Sequence, residues 1–135
     1  MRFDYLQDVG FFDPDFFLYF EEVELMRRLC LAGHRTLYVP EARVVHIAGA
    51  ATQVSSHDMR VKPRPAFVYD SWRLYYLKRH GRAYALATAL LKLPAAWIGT
   101  GFAKLRRGRS PVPQRFTRDH WRYVVRPLFR MATNR

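Results

Sequence analysis

The spacing of apolar side chains predicts one amphipathic helix in the first third of the chain. Leu25, Leu29 and Ala32 recur at i, i+4 and i+7, the period of one helical face, within residues 21–32. Three glutamates occupy the first turn, where the positive end of the helix dipole favours negative charge. Gly33 follows the last apolar position and is expected to end the helix as its C′ residue.

A second pattern, rich in β-branched and aromatic residues, predicts two short strands. Residues 36–39 form the first run, which Pro40 ends, and residues 42–47 form the second. Upstream of the helix, residues 13–15 place aspartate, proline and aspartate in a row, which predicts a turn or a helix start. An aromatic run, residues 16–20, joins that turn to the helix.

The second half of the chain predicts two long helices separated by a glycine. Residues 66–80 form an aromatic helix with basic residues in its last turn, and Gly81 is expected to stop it. Residues 83–104 form a longer apolar helix. Its narrow polar stripe has a strict spacing of four and consists of Thr88, Lys92, Ala96, Thr100 and Lys104. A final basic amphipathic stretch covers residues 116–130.

The charge changes sign along the chain, whose formal net charge is +12. Residues 1–45 contain eight acids and five bases, whereas residues 46–135 contain three acids and 18 bases. An acidic first part followed by a basic, aromatic and apolar second part indicates two different roles. The single cysteine excludes a disulfide within the chain and a zinc site built from several cysteines, which fits a reducing compartment.

Three sequence segments together resemble one enzyme family. They are VGFFD at residues 9–13, FFLYFEEVEL at residues 16–25 and YVPEARVVH at residues 38–46. Over residues 8–52 the chain closely resembles family 2 glycosyltransferases, especially the bacterial rhamnosyltransferase-like members that act on cell-envelope glycans. The resemblance implies an α/β fold, the C-terminal portion of a GT-A (Rossmann-like) catalytic domain. It also implies an inverting transfer of a sugar, with rhamnose the first expectation, from a nucleotide-sugar to a lipid-linked or cell-envelope glycan.

The resemblance assigns roles to individual residues. Glu22 stands at the second position of the family's acidic pair, so it resembles the general base that deprotonates the acceptor hydroxyl, with Glu21 as the flanking acid. His46 matches the histidine that completes a site for Mg²⁺ or Mn²⁺, whose charge lets the nucleotide diphosphate leave without protonation. The residues expected to orient the site or bind substrate are Arg28, Glu24, Tyr19 and Phe17.

The sequence departs from the family pattern at several points. The family's second glycine is Phe11 here, and glutamates replace the aspartates of its acidic motif at positions 22 and 24. The donor-binding half of the family, a Rossmann-like N-terminal region that carries an Asp-x-Asp-type metal motif, is absent from these 135 residues. The alternative is a truncated, inactive remnant that acts at most as a basic module binding the membrane surface.

Three placements of the apolar helix at residues 83–104 stay open: in a membrane interface, across the membrane, or packed on the rest of the protein. The segment is barely long enough to span. A central Lys92 costs roughly 2.5–3.5 kcal/mol on insertion, and Pro94 interrupts the backbone hydrogen bonds. Flanking arginines favour a helix that lies in an anionic interface. The expected location is therefore cytoplasmic and peripheral, on the inner face of the cell membrane.

The predicted organisation has three parts: a catalytic portion at residues 1–52, a linker at residues 53–65 and a basic helical tail at residues 66–135. The expected partners are a nucleotide-sugar donor, a glycan or lipid-linked acceptor and an anionic membrane surface. Nucleic acid is not expected as a partner, because the aromatic residues of the tail lie among aliphatic ones and not along a basic groove.

Overall fold

Every regular element that the structure describes is helical. The structure, a computed structural model, describes residues 3–45, 62–106, 108, 110 and 112–130. The chain divides into two compact units, Met1–His46 and Ile47–Arg135. The first contains α1 (Phe3–Val9) and α2 (Glu21–Leu31); the second contains α3 (Ala66–Leu105), α4 (Phe116–His120), a π-helical turn (Trp121–Val125) and α5 (Arg126–Arg130). Most of the predicted linker lies outside the described residues.

The expected α/β, GT-A (Rossmann-like) fold is wrong for the part of the chain that the structure describes, because no strand is present there. Residues 36–39 and 42–45 are irregular, and a turn closed by the Ala42 N–H and the Val39 carbonyl separates them (3.1 Å). Val45 is 90% exposed. A strand is stabilised by its neighbours' hydrogen bonds and side chains, so a β-rich run without a neighbouring strand stays irregular.

Helix α2 forms where the periodicity predicts it, and Leu25 and Leu29 are its buried residues. Gly33 ends it with a φ of 85°. The His34 N–H donates to the Leu29 carbonyl (3.0 Å) and the Gly33 N–H to the Cys30 carbonyl (3.1 Å). This pair of hydrogen bonds is a Schellman motif, which requires the left-handed conformation that glycine adopts without a steric penalty.

Helix α3 consists of two helical segments that meet at Gly81, as the sequence predicts. Gly81 has φ 78° and ψ 173°, outside the helical region, whereas the helix continues through Pro94. Aromatic rings continue across the break at a spacing of four: Trp72 and Tyr76 stack at 4.3 Å, and His80 and Tyr84 also stack at 4.3 Å. The His80–Tyr84 stack crosses Gly81 and so connects the two segments.

The π-helical turn has a physical cause in Pro127. In an α-helix the Tyr123 carbonyl would accept from the N–H of residue 127, but proline has no N–H and its ring clashes with that carbonyl. The turn is wider at Trp121–Val125, and Arg73 of α3 donates to the Tyr123 carbonyl at 3.2 Å. Arg73 also forms an ion pair with Asp70 at 3.1 Å. Arg73 therefore joins α3 to the C-terminal helices.

Small residues of α3 face the C-terminal helices. Ala85 and Ala89 are fully buried, and the imidazole of His120 lies so close that its Nε2 donates to the Ala89 carbonyl at 3.0 Å. Val124 and Leu128 complete this core. Before Gly81 the large residues Tyr69 and Trp72 of α3 are buried, whereas most of the large apolar residues after Gly81 point outward. Those on the exposed face are Tyr84, Leu90, Leu91, Trp97, Ile98, Phe102 and Leu105.

The packed side of α3 also carries a lysine. The Lys92 ammonium lies 4.0 Å from the centre of the Trp72 ring, and burial followed by the charge of Arg64 lowers its pKa to about 8. Burial lowers the pKa of His120 to about 4; the Ala89 hydrogen bond opposes that shift and the charge of Lys92 adds to it. His120 is therefore neutral at physiological pH.

His120 makes the stability of this unit pH-dependent. Its pKa is lower in the folded chain, about 4 against an ordinary 6.5, so the unfolded chain binds the extra proton first. We expect the free energy of unfolding to fall as the pH decreases from 6.5 to 4, by about 3 kcal/mol in total. Urea unfolding followed by tryptophan fluorescence across this pH range measures the loss.

His120→Gln removes the titration and keeps a donor for Ala89, so its unfolding free energy should change much less over the same range. His80→Gln removes an exposed histidine and its stack on Tyr84; it is the control for the pH dependence, which it should leave unchanged whatever its effect on stability. An unchanged pH dependence in His120→Gln would contradict this role.

Candidate functional site

The acidic pair of the family motif begins α2, directly after an unusual turn. Tyr19 and Phe20 have φ angles of 68° and 69°, and Phe20 is the N-cap but makes no side-chain capping hydrogen bond. Bulky residues seldom adopt this left-handed conformation, and such strain concentrates at functional sites. The turn places Glu21 and Glu22 in the first helical turn, where the helix dipole stabilises negative charge.

The two carboxyl groups of this pair have different environments. Glu22 is exposed, whereas Glu21 is half-buried and its Oε2 has no hydrogen-bond partner. Burial is the largest cause that raises the pKa of Glu21, and a backbone hydrogen bond partly opposes this shift. The negative charge of Glu22 and its side-chain interaction with Glu21 raise the pKa of Glu21 further. The pair thus combines an accessible carboxylate with a neighbour that holds its proton more tightly than an ordinary glutamate.

Arg28, which the resemblance assigns to orienting the site, is occupied by contacts within the unit. Its Nε donates to both carboxylate oxygens of Glu24 at 2.9 Å. Its terminal nitrogens donate to the backbone carbonyls of Val9, Gly10 (3.1 Å) and Phe11 (2.6 Å), just after α1. Arg28 and Glu24 therefore join the second helix to the end of the first, and so fix the position of α2.

A pocket in this unit lies one helical turn from Glu22. It has a volume of about 630 Å³, and Met26 and Leu29 of α2 contribute to its lining. These residues follow Glu22 at i+4 and i+7, so all three lie on one helical face. The pocket also contains Tyr5 and His34, whose rings stack at 4.0 Å. Sequence analysis missed both, because the residues that form the pair are distant in sequence.

The remaining predicted residues are Phe17, Tyr19 and His46. Phe17 is strongly exposed, and Tyr19 is half-buried in the strained turn directly before the pair. His46 lies outside the described residues, and so does its placement relative to Glu22. In the described part of the chain, no group of three or more His, Cys, Asp or Glu side chains could hold a metal ion.

The exposed face of α3 is a second candidate surface. By length and composition, Ala66–Leu105 could cross a membrane, with a mean hydropathy of 1.3 over its best 18-residue window. One such helix is weak support for a membrane-spanning segment, because a core helix of a soluble protein can have the same length and apolar composition. Such a core helix is mostly buried, however, whereas only 11% of this window is buried. The face needs an apolar environment that the described residues do not supply.

Comparison with known proteins identifies no relative: no family model matches the chain, and no curated protein and no solved structure matches it. The functional assignment therefore depends on the residues themselves.

The role of Arg28 gives a test of stability. Arg28→Lys replaces a planar fork by a single ammonium and loses most of the contacts to Glu24 and to the end of α1. We expect opening of the first unit to become easier by about 2 kcal/mol, since hydrogen bonds from a charged group contribute more than neutral ones. Native-state hydrogen exchange of the α1 and α2 amides measures this change.

Arg35→Lys is the matched control, because Arg35 is an exposed arginine of the same unit. Its exchange rates should equal those of the unchanged protein. Equal protection in both variants would show that the contacts of Arg28 contribute nothing to stability.

Proposed function

We propose that the first unit carries the acceptor-activating end of an inverting glycosyltransferase, with Glu22 as the general base. The observation that supports this most is the position of Glu22: exposed in the first turn of α2, after a strained turn and one helical turn from an open pocket. The proposal concerns this chemistry and not the α/β fold that the resemblance implied.

The proposed reaction needs one base. The acceptor hydroxyl attacks the anomeric carbon of the donor sugar, the bond from that carbon to the nucleotide diphosphate breaks, and the hydroxyl proton passes to Glu22. Glu21 takes the positioning role that the resemblance gives to the flanking acid, as a half-buried carboxyl group beside Glu22. Backside displacement inverts the anomeric centre, so no second catalytic carboxylate is required.

The substrates follow the resemblance: a nucleotide-sugar donor, with rhamnose as the first sugar to test, and a glycan or lipid-linked acceptor. The divalent metal of the proposal, Mg²⁺ or Mn²⁺, depends on His46, which lies outside the described residues. No step of the reaction is therefore assigned to it.

The test uses a protein that joins these residues to the donor-binding half that the resemblance implies. Glu22→Gln should lower kcat by about 10²–10⁴, the usual contribution of a general base, and leave the Kd of the nucleotide-sugar unchanged, since the base acts only in the transition state. Turnover and equilibrium donor binding are measured separately.

Glu41→Gln is the control, because Glu41 is an exposed acid of the same unit. It should change neither quantity. Loss of donor binding in Glu22→Gln with unchanged turnover would contradict the role of base.

A second candidate function, attachment to an anionic membrane surface, is favoured by the outward apolar face of α3. Leu91 and Ile98 of that face are 67% and 66% exposed. Exposed arginines flank the face in sequence at Arg79, Arg82 and Arg106. An apolar face bordered by cations fits a helix that lies at the headgroup boundary of an anionic bilayer. This attachment accords with the lipid-linked acceptor of the first proposal.

The membrane proposal separates into two measurable contributions. Arg79→Gln, Arg82→Gln and Arg106→Gln together should weaken binding to anionic vesicles mainly at low salt, because each base near the surface contributes about 1 kcal/mol that salt screens. Leu91→Ser, Ile98→Ser and Phe102→Ser together should weaken binding at every salt concentration. Vesicle co-sedimentation across a salt series measures both.

Leu37→Ser and Val45→Ser form the control, since both residues are exposed and apolar but belong to the acidic unit. This double variant should bind like the unchanged protein. Equal binding to neutral and anionic vesicles, with release by detergent alone, would favour a spanning helix over the interfacial one.

A further inference from the structure

A basic pocket lies beside the C-terminal segment of α3. Its volume is about 650 Å³, and it is formed by α3 and by residues between Ser110 and Arg118. Three cationic side chains contribute to its lining, Lys104, Arg115 and Arg118, and no carboxylate does. Within the described residues, none of these three cations forms an ion pair with an acid. The pocket therefore concentrates positive charge that no described acid neutralises.

Hydroxyl groups lie in the same pocket and are held by hydrogen bonds. Thr100 Oγ1 and Ser110 Oγ are 3.4 Å apart, which joins the helix to the loop. The indole Nε1 of Trp97 donates to Thr117 Oγ1 at 3.2 Å. The Thr100 and Ser110 hydroxyls also donate to backbone carbonyls, at 2.8 and 3.3 Å. The cations and the Thr117 hydroxyl are therefore the groups that can donate hydrogen bonds to phosphate oxygens. These contacts also fix the pocket before any ligand arrives.

The backbone at the pocket has a conformation with a steric penalty. Arg115 precedes α4 with a φ of 58° and makes no side-chain capping hydrogen bond. A non-glycine residue in the left-handed region is uncommon, and such residues occur at ligand-binding positions. Glycine would adopt this conformation without the penalty, but the position is occupied by Arg115, which lines the pocket.

The pocket is continuous with the apolar face of α3. Trp97 belongs to both, since it lines the pocket and is exposed on the same helix as Ile98 and Phe102. A ligand with a phosphate group and a hydrocarbon chain can occupy both surfaces at once. A soluble phosphate compound would leave the apolar face uncovered.

We propose that this pocket binds the terminal phosphate monoester of a membrane lipid while the lipid chain contacts the exposed face of α3. A phosphate monoester carries a charge between −1.5 and −2 near neutral pH, roughly twice that of a phosphodiester headgroup. Three cations and the Thr117 hydroxyl fit the more highly charged group. The proposal rests on the attachment of the second unit to membranes and identifies the lipid headgroup that it selects.

The experiment compares vesicles that contain phosphatidic acid, a phosphate monoester, with phosphatidylglycerol vesicles of matched surface charge. The unchanged protein should prefer the monoester by about tenfold, equivalent to roughly 1.4 kcal/mol. Lys104→Gln, Arg115→Gln and Arg118→Gln together should reduce this preference to less than about twofold, because the charge-assisted contacts are lost. Arg122→Gln, Arg126→Gln and Arg130→Gln remove the same charge from exposed arginines outside the pocket and should preserve the preference.

A second arm uses dihexanoyl phosphatidic acid below its micelle concentration, and inorganic phosphate, in calorimetric titrations. The short lipid should bind the unchanged protein and should not bind the pocket variant. This result does not depend on binding to vesicles, so the arm distinguishes a failure of membrane attachment from a failure of the pocket. If inorganic phosphate binds as tightly as the short lipid, the proposal that the ligand is a lipid is wrong. Equal loss of preference in the two triple variants, or no preference in the unchanged protein, would overturn the pocket.

Discussion

The close approach of α3 to the C-terminal helices decides the arrangement of the second unit. The approach is possible because alanines occupy the contact, and at Ala89 the His120 imidazole reaches the backbone carbonyl itself. A larger side chain at Ala85 or Ala89 would separate the helices. Since small residues occupy the packed side after Gly81, most of the large apolar residues in that segment of α3 lie on the outer side. Close packing through small residues is common between helices in membranes, where apolar bulk outside is not penalised.

The strict spacing of four along α3 identifies one helical face, but it does not determine which way that face points. Thr88 and Lys92 of this stripe are half-buried and Trp97 lies exposed, the reverse of a soluble amphipathic helix. The Trp72 ring, 4.0 Å from the ammonium, stabilises Lys92 on the packed side, and burial, which disfavours the charged form, lowers its pKa to about 8. The spacing of residues along a helix is a local property, whereas the direction in which a helical face points depends on the helices that pack against it.

The same distinction explains which sequence predictions succeeded. Helix α2, its Schellman end at Gly33 and the break at Gly81 depend on local side-chain spacing and backbone freedom, and the sequence predicts all three. The predicted strands are wrong because a strand depends on a partner. The contacts of Arg28 with the end of α1 join residues 17 to 19 positions apart, which no local pattern reveals. For the candidate site, the sequence identifies the acidic pair but neither the strained turn before it nor the Tyr5–His34 stack.

The two units carry opposite net charge, which matters if the first is a glycosyltransferase site and the second attaches to a membrane. Residues 46–135 carry 18 bases and three acids, so an anionic bilayer attracts the second unit, while it repels the first, where acids outnumber bases. In that case the bilayer attracts the unit that contains the apolar face of α3, and the proposed general base, Glu22, belongs to the other unit. Close to a bilayer the negative surface potential raises the pKa of an exposed carboxylate and weakens its ability to stay ionised as a base. A proposed base in the acidic unit and a proposed attachment surface in the basic unit therefore separate these two opposing requirements along the chain.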